Sequence, residues 1–368
     1  MIRVNCVVCG LDDFKEIYQA ENYPALMHNT QNDPATDIIY DVLVVGCVNC
    51  GCVQMKNIVD PNSLYNDGYT TASFSKLAIN HNIAFSRFIR ENINNREILE
   101  VGANTGALYK LLSMGNNLRY TVLDMFKGAS LPEEITFIKG NCEEFNYSGH
   151  KTLILSQTFE HLINPCKFLR SVQASGVETL FISIPNFNNQ LESGDLNTIN
   201  AQHTFYCSYE HMVYMFSLYN YRCQAFDTYI NNSSMFKFTK DSTMYRLNIP
   251  LPGYIIKRFE DLYIRTKAEI DCIQLVLPTY IYPAGQIGQL LYENLGSRKK
   301  NILGFLDGDK KKDQTRLYGT TLQTYSPDKL LEHLTKPIDI IICKCPYQKE
   351  ILEVLENYKA CVQNITLL

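Results

Sequence analysis

Two cysteine pairs carry the most recognisable chemistry in this chain. "CVVCG" supplies Cys6 and Cys9, and "GCVNCGC" supplies Cys47 and Cys50. A tetrahedral zinc site takes two thiolates from each of two tight Cys-x-x-Cys turns, and a glycine after the second cysteine eases each turn. Gly10 and Gly51 stand at those places. Four thiolates leave no open position on the metal, so the role predicted is structural Zn2+. The alternative is four free thiols packed in a core. Cys52 is surplus to the set and reads as a packed thiol. A second candidate is "AQHTFYCSYEH", which holds His203, Tyr206 and His211. An imidazole titrating near neutral pH suits proton removal from a reacting group, so His203 is a candidate general base. Tyr206 is a candidate contact for a substrate hydroxyl or phosphate, or an aromatic packed under the loop. His211 lies in an apolar helical pattern and reads as a packing or surface residue.

These side chains need elements to hold them, and "REILEVGANTGALYKLL" is the most informative. "EILEV" is a short apolar strand, Gly102 and Gly106 open the following turn, and Leu108, Leu111 and Leu112 recur at helical spacing. A strand, a glycine turn and a helix N-terminus form a ligand cradle in an open α/β sheet. The next strand, "RYTVLD", ends in Asp124, whose carboxylate can accept two hydrogen bonds side by side. "FIKGNCEEF" follows with Asn141 and Cys142. Then "KTLILSQTFEHLINPCKFL" runs from a strand through Gln157 into Glu160, His161 and Pro165.

The glycine pattern is E-x-G-x-N-x-G rather than the dinucleotide G-x-G-x-x-G, and it resembles motif I of the class I methyltransferases that use S-adenosyl-L-methionine. The resemblance implies that Glu100, Gly102, Asn104 and Gly106 lie near the methionine part of that cofactor. It places Asp124 on the ribose hydroxyls, Asn141 and Cys142 in the adenine-contacting segment, and Gln157 at the mouth of the site. "EHLINP" is similar to the family's E-H-x-x-x-P stretch, which makes His161 either a helix-start packing residue or a catalytic one. Over nearly its whole length the chain resembles the sugar C-methyltransferases that act on nucleotide-linked 4-keto deoxysugars. "CVNCGCVQM" resembles their second cysteine turn with its apolar-Gln pair, and "VDPNSLYNDGYTTAS" their linker. Those enzymes carry a Tyr-His-Glu-His stretch linked to acid–base work. Here the matching positions are Asn200, Ala201, Gln202 and His203, so only the last histidine remains. That loss favours O- or N-methylation over C-methylation through an enolate, and leaves a catalytically inactive cofactor-binding module as a further alternative. A second departure is Asn232, Ser233 and Ser234, where the family often has Gly-Gly-Ser.

The fold expected is α/β: a class I methyltransferase Rossmann-like sheet, flanked by an N-terminal four-Cys zinc domain and a C-terminal Rossmann-like α/β domain. The zones are 1–70, 71–245 and 246–368. The third begins near "PLPGYI" and carries "LPTYIYPAGQIGQLL" and "NILGFLDGD", strands followed by a glycine turn (Gly285, Gly288) and by Asp307. In the related family this domain helps hold the sugar nucleotide. The chain has 368 residues and a net charge of −4 without a long basic run, which argues against nucleic acid as a partner. No apolar run reaches bilayer-spanning length, so no membrane partner is expected. The opening residues lack a signal-peptide core, and 13 cysteines without one point to reduced thiols in the cytoplasm.

Overall fold

The computed structural model describes residues 1–65, 76–103, 105–114, 117–128, 131–194, 199–200, 202–230, 233–243, 254–345 and 347–368. Contacts divide the chain into two compact units. One comprises Met1–Ile17, Leu43–Gln190 and His203–Lys257, the other Tyr18–Val42, Leu191–Gln202 and Arg258–Leu368. These boundaries fall elsewhere than the changes in composition. Among the described elements, β1 (Phe14–Pro24), β3 (Ile39–Cys47), α5 (Phe187–Ser193) and α7 (Tyr254–Asp271) each run through a boundary.

The first unit is built on a seven-stranded sheet in the order β11-β12-β9-β8-β5-β6-β7. Its strands are β5 (Glu97–Val101), β6 (Arg119–Asp124), β7 (Thr136–Lys139), β8 (Thr152–Ser156), β9 (Thr179–Pro185), β11 (Tyr221–Tyr229) and β12 (Ser233–Lys240). β5 to β9 are parallel, and β12 runs antiparallel to both β9 and β11. This mixed α/β sheet with a parallel core fits the fold expected from the sequence. Central strands are apolar on both faces because both faces are covered. Ile98, Ile154 and Phe181 pack with Phe85, Phe88 and Ile89 of α2 (Lys76–Asn92) and with Leu108 and Leu112 of α3 (Ala107–Leu112). Their neighbours Leu99, Leu153, Leu155 and Leu180 pack with Phe168 and Leu169 of α4 (Pro165–Ala174) and Met212 and Phe216 of α6 (Tyr209–Ser217). The alternation is the two-residue period of a strand. β5 has β6 on one side and β8 on the other, so their connections part at its carboxyl end. Ligands of open α/β sheets bind at such a switch point.

The cysteine turns belong to the same unit. β4 (Val53–Met55) pairs antiparallel with β3 and with β10 (Phe205–Tyr206), and β1 completes that four-stranded sheet. Cys6, Val7, Val8, Cys47, Cys50 and Cys52 join the buried cluster that contains Leu99 and Phe168. The cysteine segment therefore shares a core with one face of the large sheet. The short helix α1 (Pro61–Leu64) follows, started by Asp60, whose carboxylate accepts the Asn62 N–H at 3.0 Å.

The second unit has a five-stranded parallel sheet in the order β16-β14-β13-β17-β18. The strands are β13 (Thr279–Tyr282), β14 (Ile302–Leu306), β16 (Thr324–Tyr325), β17 (Ile338–Ile342) and β18 (Val362–Leu367), with helices α8 (Gln286–Asn294), α9 (Pro327–Leu331) and α10 (Gln348–Glu356) between them. At Gly288 an added Cβ would lie 2.2 Å from the Pro283 carbonyl oxygen, so glycine is what lets α8 turn so closely off β13. Asp307, at the end of β14, pairs with Lys312 at 2.7 Å, and Lys312 also donates to the Ala284 carbonyl at 2.9 Å. β2 (Asn29–Thr30) pairs with β15 (Arg316–Leu317), where buried Arg316 grips Asp37 with two hydrogen bonds of 2.6 and 2.8 Å. No described helix is long and apolar enough to cross a membrane.

Candidate functional site

The Sγ atoms of Cys6, Cys9, Cys47 and Cys50 all lie within 4.8 Å of one another. Cys6–Cys50 and Cys9–Cys47 are each separated by 3.5 Å. Tetrahedral zinc with bonds of about 2.3 Å sets its sulfurs about 3.8 Å apart, so this donor set fits the metal. The two turns are built alike. Gly10 and Gly51 have φ of +79° and +74°, and their N–H groups donate to the Cys6 and Cys47 carbonyls at 2.9 and 2.7 Å. Hydrogen bonds from Cys50, Cys6 and Cys9 pull Cys47 below the usual thiol range and push its three partners above it. Thiols this close together resist ionising one after another, and a dication would draw off their protons. Gln54, fully buried, accepts the Val7 N–H at 3.1 Å and so ties β4 to the first turn.

His211 braces the second turn. The Ser208 N–H donates to its Nδ1 at 3.2 Å, while the His211 N–H donates to Ser208 Oγ, the reciprocal pair that starts α6. With Nδ1 accepting, the proton sits on Nε2, which donates to the Cys50 carbonyl at 2.7 Å. The sequence pattern identified His211 as packed or exposed. It is buried, and it also has this polar task.

At the crevice, Gly102 and Gly106 adopt φ of +75° and +68° and α3 begins directly after them. Glu100 is 2 % exposed and its Oε2 accepts the Tyr120 hydroxyl at 2.8 Å. Burial, opposed by that hydrogen bond and reinforced by Asp124, raises its pKa to about 7. Asp124 ends β6 half-buried and accepts the Phe126 N–H at 3.4 Å. Asn141 caps its own turn, its Oδ1 accepting the Glu143 N–H at 2.9 Å. Burial pushes the Cys142 thiol up to about 12, and its carbonyl accepts the Tyr147 hydroxyl at 2.7 Å. Gln157 follows β8 at φ +50°, its Nε2 3.4 Å from Ser233 Oγ. A non-glycine residue at positive φ is sparsely populated and is found where the surroundings impose it. Asn104, Ala201 and Asn232 lie outside the described residues. The set offers a carboxyl group for an ammonium, a strand-end carboxylate for a diol and an amide for a base, which is the donor chemistry that S-adenosylmethionine requires.

The histidines meet beside this crevice. The rings of His161 and His203 are 5.0 Å apart and edge-on, and Tyr206 faces His203 at 6.2 Å. The Tyr65 hydroxyl is 2.7 Å from His161 Nδ1. Glu160 is 4 % exposed, and neither carboxyl oxygen has a hydrogen-bond partner among the described residues. The His161 Nε2 lies 3.9 Å from its Oε1. Burial lowers His161 to about 4 and raises Glu160 to about 8. Burial, and then the neighbouring His161, holds His203 well below the usual range. Near neutral pH the cluster is therefore two neutral imidazoles beside a protonated carboxyl group. Thr204 sets its geometry. Its N–H donates to the Glu160 carbonyl at 2.9 Å and its hydroxyl to the Leu162 carbonyl. Arg3, buried, donates to the Thr204 carbonyl and, at 3.2 Å, to its hydroxyl, as well as to the Ile163 carbonyl at 2.7 Å.

His161, His203 and Tyr206 are thus brought together, as are the four cysteines. No local pattern marks the roles of Tyr65, Arg3 and Thr204, and Gln54 and Glu160 stand out in the sequence only as members of motifs. A buried charge-bearing residue next to a candidate histidine was the available signal. No known family's profile matches the chain, and no curated protein matches it. Solved structures do match over a little under half of it. The PH0226 protein from Pyrococcus horikoshii OT3 is 11% identical, with 46% of this chain and 94% of that one covered and a TM-score of 0.37. The methyltransferase domain of bacterial CtHen1-C is 16% identical, covering 45% and 100%, at 0.36. The glycopeptide N-methyltransferase MtfA, complexed with S-adenosyl-L-homocysteine, is 12% identical, covering 43% and 86%, at 0.34. At these identities and scores the likenesses carry no weight on function.

Proposed function

We propose that this chain transfers a methyl group from S-adenosyl-L-methionine to a nucleotide-linked sugar. The observation that carries the reading is the junction between the glycine turn and the histidine segment. A Cβ at Gly102 would lie 2.6 Å from the Thr158 hydroxyl oxygen, and Thr158 leads directly into Glu160 and His161. The cofactor cradle and the acid–base cluster are therefore neighbours. Glu100, Gly102, Asn104, Gly106, Asp124, Asn141, Cys142 and Gln157 would hold the cofactor, which when bound supplies an electrophilic methyl group. Because that group is already activated, the protein's main task is to align the acceptor with it. His203, neutral near pH 7, accepts the acceptor's proton, and His161 and Tyr206 orient the acceptor. Cys6, Cys9, Cys47 and Cys50 would hold a structural zinc ion. The segments 1–70, 71–245 and 246–368 are assigned to zinc binding, methyl transfer and a Rossmann-like domain that helps hold the sugar nucleotide.

O- or N-methylation is favoured, because Asn200, Ala201 and Gln202 replace the acid–base groups of enolate chemistry. One observation keeps C-methylation as the second reading. Glu160 and His161 gather at His203, with Tyr65 against His161, and offer proton-transfer groups from other elements. Incubation with methyl-13C-labelled cofactor and a panel of 4-keto, amino and fully hydroxylated nucleotide sugars separates the readings. NMR should place the label on oxygen or nitrogen. A label on carbon selects the second reading. Cofactor binding without transfer to any acceptor contradicts both and leaves a binding module.

A further inference from the structure

We propose that Glu160, His161 and His203 form a second metal site, for a divalent first-row transition cation, separate from the four cysteines. Each offers one ligand atom, and the three atoms lie within 4.8 Å of one another. Ligands bound at about 2.0–2.1 Å in a tetrahedral site stand about 3.3–3.4 Å apart, so small side-chain rotations close the set. His161 Nε2 and Glu160 Oε1 are already 3.9 Å apart. Two imidazoles and a carboxylate form a donor set that zinc and its first-row neighbours share, and three protein ligands leave positions open for an exogenous oxygen.

Two features point to a cation rather than to packing. Glu160 is almost completely buried, yet neither carboxyl oxygen accepts or donates a hydrogen bond among the described residues. A buried polar group left in that state is costly, and it calls for a partner that the described residues do not supply. The second feature is the outer shell. The Tyr65 oxygen is placed to accept a hydrogen bond from His161 Nδ1, which would leave the Nε2 lone pair facing Glu160. Ligating histidines are typically fixed in this way through their other nitrogen. The backbone is fixed too, since Thr204 binds the Glu160 carbonyl next to His203 and Arg3 binds Thr204. The inference rests on this geometry and not on the methyl-transfer reading. If both hold, the cation would occupy the His203 lone pair. It would bind the acceptor's oxygen directly, lowering the pKa of the hydroxyl in place of an imidazole base.

The test is a metal count that needs no activity. Purified full-length protein is saturated with Zn2+, freed of excess, and its metal per chain is measured by mass spectrometry. Two equivalents are expected, falling to one in His203→Gln and in Glu160→Gln. Loading with Co2+ should give the charge-transfer and ligand-field bands of a thiolate site, which these variants retain, beside an additional ligand-field set that they lose. Tyr65→Phe should keep both sites but weaken the second about 10- to 100-fold. One equivalent in the wild-type protein, unchanged by His203→Gln, overturns the proposal, as does retention of two equivalents in both variants. Because the wild-type count decides by itself, a variant that fails to fold does not shelter the idea.

Discussion

Single atoms decide two features of the candidate site. Gly102 combines φ of +75° with a space that the Thr158 hydroxyl already fills, 2.6 Å from where a Cβ would be. Gly102→Ala should therefore cost about 1–3 kcal/mol from the left-handed backbone alone, with the clash in addition. Thr158→Ala removes the clashing atoms, so the double variant should recover the steric part and keep the backbone part. Urea denaturation of the four proteins measures this, and strictly additive losses would show that Thr158 is not the obstruction. Thr204 is the second case. Thr204→Val keeps the shape but removes a hydroxyl that donates to Leu162 and accepts from Arg3. The expected loss is about 1–3 kcal/mol. If the methyl-transfer reading holds, kcat should fall more than KM rises, because the residue shapes the His161–His203 pair rather than a binding surface. An unchanged kcat with lowered stability would reduce Thr204 to a purely structural role.

The elements show how the chain assembles what its sequence only hints at. The glycine turn was legible because a strand, a left-handed turn and a helix leave a local signature over Glu97–Leu112. The cysteine turns were legible for the same reason. The brace between distant elements was not. His211 reaches Cys50 across 161 positions, and Arg3 reaches Thr204 across 201, and no local period encodes such a pairing. Tyr65 meets His161 across 96 positions, at the end of a four-residue helix with no helical stripe to announce it. The sequence also divides most visibly where composition changes, whereas packing joins the cysteine turns to the face of the large sheet. That shared core gives a prediction. If the four cysteines hold zinc, removing it with a chelator, or with Cys47→Ser, should lower the melting temperature of the seven-stranded sheet, not merely unravel an appendage. His211→Leu should keep the metal but weaken its affinity about 10- to 100-fold by freeing the Cys50 carbonyl. Cys272→Ser, at an exposed thiol remote from the set in sequence, is the control. An unaltered melting curve after complete zinc removal would show that the turns are dispensable to the core.

At the scale of the whole molecule, stability should depend on pH through several buried groups, and two of them outside the histidine cluster, Glu100 and His81, pull in opposite directions. Glu100 is raised by burial from 4.5 to about 7, and His81 is lowered by burial from 6.5 to about 4. His81 stacks on Phe85, and its Nε2 has no hydrogen-bond partner among the described residues, so burial outweighs the partial support that Asn82 gives the charged ring. A raised carboxyl group stabilises the folded state fully below the unfolded pKa. The contribution is lost as pH climbs from about 4.5 to about 7, because the unfolded chain ionises first. A lowered imidazole does the reverse. Its contribution is present above 6.5 and is lost as pH falls towards 4, because the unfolded chain takes up a proton that the folded chain refuses. Each slope is at most about 1.4 kcal/mol per pH unit. Between about pH 4.5 and 6.5 the two nearly cancel, so their effects emerge only in variants. Glu100→Gln should gain on the wild-type protein as pH rises through that window and then hold its advantage above about 7. His81→Phe should gain as pH falls from 6.5 towards 4. Denaturant midpoints at half-unit pH intervals give both difference curves. Curves parallel to the wild type would mean that neither group keeps its folded protonation state. If Glu100 also faces the cofactor's ammonium group, saturating cofactor should flatten the wild-type curve above pH 6, because the bound cation favours the same carboxylate that burial opposes.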